Sequence, residues 1–295
     1  MKAIVFGGSG FIGSHVADEL LKQGYETIIY DKVLSTYLQS GQKMIVGDIL
    51  DIEKVKQAVK GCDYVYNFAG IADLDEANEK PLETVNINIL GNINILEASV
   101  NSKVKRFVYA SSIYVYSQKG GFYRCSKQAS EIYIEEYNRY YGLKYTILRY
   151  GSLYGPRADK WNPIYRYLNQ ALKKRNIKCN NPEEVREYIN VKDAAKLSID
   201  ILDEKFANRH LILSGHYRIK VKEMMLIIKE IMNNEIEIEF IDKGRGEDHY
   251  KYLPYSYQPK IGDKLLNNCF IDIGQGLLEC LEEIEKTILT EKDEK

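Results

Sequence analysis

Excess charge of either sign is missing from this 295-residue chain: 41 Lys and Arg stand against 42 Asp and Glu, a formal net charge of -1. No global field therefore draws it to nucleic acid or an anionic membrane surface, although a local anion site is compatible with that balance. Cysteine is also sparse. The five thiols (Cys62, Cys125, Cys179, Cys269, Cys280) show no C-x-x-C spacing, and the four histidines show no H-E-x-x-H pattern. Both facts argue against zinc and against a disulfide framework. No stretch approaches the ~18 apolar residues of a membrane span. The apolar run from Ala3 to Phe6 is too short for a signal-peptide core and leads into glycines rather than a cleavage site, so a cytoplasmic enzyme is expected. What remains is a chain 45% apolar and 28% charged, the composition of a folded soluble protein. At ~100 to 200 residues per domain it has room for one large domain or two modest ones.

Short apolar runs alternate with helical spacing through the first half. Lys2 to Phe6, Glu26 to Tyr30, Lys43 to Val46, Tyr64 to Phe68, Arg106 to Ala110 and Lys144 to Leu148 read as strands; Phe11 to Gln23, Ile52 to Lys60, Pro81 to Asn101 and Tyr123 to Tyr140 read as helices. Parallel neighbours need a crossover, so this alternation predicts an α/β fold with a doubly wound parallel sheet. After Leu148 the rhythm loosens. Glycines and prolines from Tyr150 to Asn162 mark a loop, and Asn180 to Pro182 another. Beyond them the pattern predicts helices at Val191 to Asp203 and Val221 to Met232, strands at Arg209 to Leu213 and Glu235 to Ile241, and a terminal helix near Leu277 to Ile288.

The first strand runs into Gly7, Gly8, Ser9, Gly10, Phe11, Ile12 and Gly13, a G-x-x-G-x-x-G turn entering a helix. Glycines there permit a tight turn and let backbone N–H groups approach a pyrophosphate at the positive helix end. The next strand ends at Asp31, 18 residues after Gly13. A carboxylate in that place accepts from free ribose hydroxyls and repels a 2′-phosphate, which favours NAD over NADP. Asp48 with Ile49 at the end of the third strand either brackets the adenine or is a surface feature. Tyr123 and Lys127 lie four apart on one helix face, and an ammonium beside a phenol favours the phenolate. Among 24 tyrosines such spacing arises by chance, so position matters more: the preceding strand delivers Ser111 and Ser112 at its carboxyl end, where open α/β sheets bind ligands. Ser111 itself reads as a backbone-capping hydroxyl, and the histidines as structural or exposed.

With these elements in order, the chain resembles the extended short-chain dehydrogenase/reductase superfamily, and within it the nucleotide-sugar epimerases and dehydratases. The matching pieces are the glycine turn, Asp31, Gly47-Asp48-Ile49, Asn67-Phe68-Ala69-Gly70, Ser111-Ser112, Tyr123 with Lys127, Leu148-Arg149-Tyr150, Tyr154-Gly155-Pro156, and Arg186 through Asp193. The resemblance implies a Rossmann domain over residues 1–160 that binds NAD through Gly7, Gly10, Phe11, Ile12, Gly13, Asp31, Asp48, Ile49, Phe68, Ala69, Gly70, Tyr123, Lys127 and Tyr150. It implies a smaller mixed α/β part, mainly for substrate, over 161–295, with some segments returning to the first domain.

By the same resemblance Tyr123 is the catalytic acid or base, Lys127 tunes it and holds the nicotinamide ribose, and Ser112 hydrogen-bonds the reacting hydroxyl. Arg186 meets the phosphates of a nucleotide sugar, or else pairs with an acid such as Glu183. Arg245, in an irregular Arg-Gly-Glu-Asp, is a second phosphate ligand or a surface turn. Two departures stand out. Ser112-Ile113-Tyr114 replaces the Thr-Asp-Glu usual in dehydratases, which disfavours dehydration. Ten residues separate Ser112 from Tyr123, fewer than epimerases usually hold in that pocket wall. The expected activity is oxidation of a sugar hydroxyl, most plausibly the 4′, by an epimerase or dehydrogenase; the alternative is a cofactor-binding protein without turnover. A homodimer is expected through Pro81 to Asn101 and Tyr123 to Tyr140, whose Ile93, Leu96 and Ile132 either face a second copy or lie under the sheet.

Overall fold

The computed structural model describes residues 1–117 and 119–241. Arg245, His249, Cys269, Cys280 and the expected helix from Leu277 to Ile288 lie outside the described residues. The first strand, β1 (Lys2–Phe6), is apolar on both faces and almost wholly buried, as a strand covered by helices on both sides must be. The chain continues through helix α1 (Phe11–Lys22), strands β2 (Glu26–Asp31) and β3 (Gln42–Val46), helix α2 (Ile52–Val59), strand β4 (Tyr64–Asn67) and a short helix α3 (Leu74–Glu79). Asp73 caps α3 by accepting from the Glu76 N–H at 2.9 Å. Next come α4 (Pro81–Thr84), a π-helical turn at Val85–Leu90 and α5 (Gly91–Asn101), where the sequence pattern predicts one uninterrupted helix. Strand β5 (Arg106–Ser112), a 3₁₀ turn (Ile113–Tyr116), helix α6 (Gly121–Tyr141) and strand β6 (Tyr145–Tyr150) complete the first half.

The second half holds β7 (Ser152–Tyr154), α7 (Pro163–Lys174), β8 (Asn176–Asn180), β9 (Val185–Asn190), α8 (Val191–Asp200), β10 (Arg209–Leu213), β11 (Arg218–Lys220), α9 (Val221–Ile231) and β12 (Glu237–Ile241). Seven strands form one parallel sheet in the order β10-β6-β5-β4-β1-β2-β3. Strand order reverses between β1 and β4, which opens a crevice at their carboxyl ends. One face of the sheet packs on α2, α5 and α6 through Ile4, Phe6, Phe107, Ile95, Leu96 and Ile134. The other packs on α1 and α8 through Val5, Val16, Leu20, Leu148 and Ala194. Each such side chain contributes ~1.5–3 kcal/mol on burial. A third core, around Ala171, Ile177, Met225 and Ile228, joins α7, β8 and α9.

Several differences from the sequence reading concern polar or short elements. Strand β7 lies inside the expected loop, while α7, β8, β9 and β11 were not anticipated. Helix α6 begins two residues before Tyr123, with Gly120 (φ +107°) and Gly121 (φ +50°) both left-handed. Glycine is favoured at 121 by φ, and a Cβ there would also displace the Asn78 side chain, whose Oδ1 would lie 2.0 Å away. Leu96 is fully buried against the sheet, which accounts for it within one chain; Ile132 is 61% exposed.

Candidate active site

The glycine turn is compact because its backbone folds onto itself and onto its neighbours. Gly7 (φ +74°) donates to Tyr30 O at 2.9 Å, and a Cβ on it would meet Ala69 N at 2.5 Å. A Cβ on Gly13 would meet Gly7 O at 2.3 Å. Gly10 stands at the start of α1, offers no capping side chain, and faces little but Gly7 O, while no acid occupies the first helical turn beyond it. The result is a bare helix N-terminus with backbone N–H groups at the crevice, the chemistry a pyrophosphate requires. Asp31 borders it: its carboxylate accepts from Ser9 N at 3.0 Å and Val33 N at 3.2 Å. These residues fit NAD.

Across β1, Phe68 stacks on Tyr66 and tilts against Tyr150 at 6.2 Å, and Ala69 N donates to Asn67 Oδ1 at 3.1 Å. Ile49 is buried at the end of β3, wedged against Gly91 and bonded through its carbonyl to Asn94; the Asp48 carboxylate accepts from Leu50 N. Tyr150 lies beside Ser112 in the register of β5 and β6. Its phenol, however, reaches Ser198 Oγ at 2.6 Å and burial pushes its pKa up, so the ring serves the core under α8.

At the carboxyl end of β5 the backbone cap expected of Ser111 falls instead on Ser112. Ser112 Oγ accepts from Tyr114 N at 3.2 Å, so it is the hydroxyl that caps backbone, and its own O–H remains to donate. Ser111 does not cap. It donates to Glu131 Oε1 at 2.5 Å, inside the structure. Lys127 is buried, donates from Nζ to Ala110 O at 2.8 Å, and lies 4.8 Å from the Tyr109 ring centroid and 5.7 Å from that of Tyr123. Burial pushes its pKa down to about 8, with Glu131 pulling the other way. Tyr123 is also buried and meets Tyr114 edge to face at 6.3 Å.

Asn88, in the π-helical turn, joins the two halves of the site. Its side chain accepts from Ile71 N at 2.7 Å and donates to Ile71 O at 3.0 Å and Ser126 Oγ at 2.9 Å, while Ser130 Oγ donates to its carbonyl. The loop after β4 is thereby tied to α6, and a Cβ on Gly70 would lie 3.9 Å from Lys127 Nζ. Sequence reasoning assigned no role to Asn88, Glu131 or Arg149. The signals were an asparagine-rich helix interior, where propensity disfavours Asn, and a carboxylate one turn after the lysine.

Arg186 stands on β9, in a separate sheet ordered β11-β9-β7. Its guanidinium grips the buried Glu184 with two bonds of 3.1 Å rather than Glu183, which pairs with Lys220 and Lys222. His15 is buried and bonded to Pro156 O; His210 lies 3.0 Å from Glu135.

Residues 3–217 match the NAD dependent epimerase/dehydratase family. The chain is 29% identical over 283 residues to a putative UDP-glucose 4-epimerase of Methanocaldococcus jannaschii, covering 88% of this chain and 92% of that one. Among solved structures it is similar to a UDP-glucose 4-epimerase with UDP-glucose from Thermotoga maritima (TM-score 0.78, 27% identity, 84% and 88% covered). It is also similar to a UDP-glucose 4-epimerase complex with NAD from Thermus thermophilus (TM-score 0.76, 26% identity, 84% and 89% covered). A glycine turn with a bordering acid, a buried Tyr and Lys on one helix and a serine on the adjoining strand end agree with that match over most of the chain's length: the chain belongs to the NAD dependent epimerase/dehydratase family, and NAD is its cofactor.

Proposed function

We propose that this chain is a 4-epimerase of UDP-activated sugars. The observation that carries the reading is the convergence of Ser112, Tyr123 and Lys127 at the carboxyl ends of β5 and β6, beside the bare helix N-terminus of α1. NAD, when bound, supplies the acceptance and return of hydride. The Tyr123 phenol takes the proton from the sugar 4′-hydroxyl and returns it later. Lys127 favours the phenolate electrostatically, because an adjacent ammonium stabilises the charged form of the phenol. Ser112, already accepting from backbone, donates its remaining O–H to the reacting oxygen and orients it. Arg186, squared by its two bonds to Glu184, is read as a phosphate ligand on the substrate side, and residues 161–295 as the part that mainly carries the substrate. Exposed Ile132, Tyr133 and Tyr140 on α6 support pairing of two copies.

Both expectations for the reaction type start with the same oxidation, and the names of the relatives favour epimerisation. Ile113, after Ser112, supplies no acid for eliminating water. Incubation of the purified protein with NAD and UDP-, GDP-, CDP- and dTDP-hexoses tests the reading, with NMR for the epimer and absorbance for accumulating NADH. Interconversion of a UDP-hexose with its 4-epimer and no steady NADH is expected. Stoichiometric NADH with a released keto sugar would make the chain a dehydrogenase instead, and no turnover of any sugar would favour a cofactor-binding protein without catalysis.

A further inference from the structure

Behind Tyr123 and Lys127 lies a buried ion pair that no step above uses. Glu131 stands one helical turn after Lys127 on α6, and 6% of it is exposed. Its Oε1 accepts from Ser111 Oγ at 2.5 Å and Arg149 Nε at 3.0 Å, and its Oε2 accepts from Arg149 Nη2 at 2.6 Å. Arg149 Nη1 in turn donates to the Tyr116 phenol, and the guanidinium lies 4.7 Å from that ring's centroid. Each member of the cluster adjoins a residue of the candidate site. Ser111 precedes Ser112 on β5, Arg149 precedes Tyr150 on β6, Tyr116 ends the 3₁₀ turn that follows Ser112, and Glu131 shares a helix with Tyr123 and Lys127.

We propose that Glu131 is a positioning residue that locks the ends of β5 and β6 to α6 and, one helical turn from Lys127, sets its charge against that ammonium. The geometry supports both halves. A bidentate guanidinium fork fixes a carboxylate in direction as well as distance, so Ser111, and with it the adjoining Ser112, is set against the helix that carries Tyr123. Lys127 itself gains only a carbonyl and aromatic faces, which compensate a buried cation poorly. The carboxylate that acts on it is Glu131. The groups facing this cluster are Tyr109 and Ser111 from β5, Tyr145 and Arg149 from β6, His210 from β10, Tyr116 from the 3₁₀ turn, and Tyr123, Lys127 and Glu135 from α6 itself. Arg149, bonded to both oxygens of that carboxylate, opposes its field at Lys127.

The rate half of this inference rests on the proposed function, whereas the titration half does not. Protein labelled with ¹³C at lysine Cε, free of cofactor, reports the Lys127 midpoint directly, with the resonance assigned by its loss in Lys127→Met. Glu131→Gln is expected to lower that midpoint by about one pH unit, the small end of the effect of an adjacent opposite charge. In the active enzyme the alkaline limb of the pH–rate bell should move to lower pH, because the lysine loses its proton earlier. Glu131→Asp keeps the charge and should restore that limb while leaving the rate depressed. If Glu131→Gln does not fold, the double variant E131Q/R149M removes the guanidinium left without its acid and is expected to lower the midpoint in the same direction by a smaller amount. An unchanged Lys127 midpoint in either variant, with an unchanged alkaline limb, would reduce Glu131 to a structural partner of Arg149. Absence of turnover by wild type on every nucleotide sugar would overturn the proposed function and leave the titration result standing.

Discussion

Strands β5 and β6 are stapled at both ends by an arginine, buried at one end and half-buried at the other, and the two staples differ in what holds them. At the amino end, Arg106 is 2% exposed and donates to Thr146 Oγ1 at 3.0 Å, Ile201 O at 3.4 Å and Glu204 Oε2 at 3.1 Å. The Glu204 side chain is 69% exposed, and Arg106 Nε is buried without a partner. At the carboxyl end Arg149 and its acid, Glu131, are both largely shielded from water, and two further hydrogen-bonding groups, Ser111 and Tyr116, converge on the pair. Water can replace Glu204. Nothing equivalent replaces Glu131, because a carboxylate removed from a shielded guanidinium leaves a charge with little solvation. The amino end therefore serves to hold the sheet, while at the carboxyl end the same pairing chemistry is proposed to fix side chains for reaction as well.

The largest effect should come from chemistry alone. Tyr123→Phe is expected to lower turnover ~10²- to 10⁴-fold, the usual worth of a general acid–base group, with a melting temperature close to wild type. Ser112→Ala should cost less rate, and a Tyr123→Phe enzyme working within about twofold of wild type would rule out the tyrosine as the proton carrier. The staples can then be compared directly. Removing Glu131 by Glu131→Ala should destabilise by up to ~3–5 kcal/mol in denaturant titrations, since the half-buried Arg149 then keeps only Tyr116.

Lys127 sharpens the contrast through pH. Its folded-state pKa of about 8 lies below the unfolded value of 10.5, so at neutral pH the folded state carries the cost of a buried ammonium. Stability contributed at this position should rise with pH between those two values, where the unfolded lysine binds a proton that the folded one does not. Lys127→Met is accordingly expected to melt above wild type at pH 7, with the gap closing as the pH passes through about 8 toward 10.5. A gap independent of pH would show that the ammonium is not the source of the cost.

Asp31→Ala should shrink the preference for NAD over NADP, by ~10-fold in the ratio of dissociation constants from calorimetry, as for the loss of one good hydrogen bond to a charged group. Tighter binding of NADP than NAD by wild type would contradict the role given to Asp31. The smallest effect is expected at the amino end: Glu204→Ala should leave the melting curve near wild type, because Arg106 retains Thr146 and the Ile201 carbonyl.

Much of the first half was legible before any coordinates. Strands β1, β2, β4 and β5 are apolar runs between glycines or helical spacing, and a buried parallel strand has no other simple sequence form. The later elements were harder to read for a physical reason. Helix α7 carries Ile164, Leu168, Ala171 and Leu172 at helical spacing, a stripe the sequence reading passed over, although Leu168 and Leu172 within it are exposed. Strands β9 and β11, rich in charged residues, lie in a three-stranded sheet whose side chains are mostly half-buried, and their sequences resemble loops.

Sequence alone determined the parallel sheet, the glycine turn with its bordering acid, and the helix that carries Tyr123 and Lys127, because backbone conformation, hydrophobic period and helical spacing are local properties. Tertiary structure decided which of two adjacent serines meets the ion pair. Neighbours in a strand point to opposite sides, so once β5 is set in the sheet one hydroxyl meets Glu131 and the other does not. It also decided that Arg186 pairs with Glu184, that Tyr150 serves the core through Ser198, and that Glu131, twenty residues from Ser111 and eighteen from Arg149 in the chain, binds both. Those partners are chosen by which strand ends the crossovers bring together, and long-range proximity of that kind leaves no local trace in the order of residues.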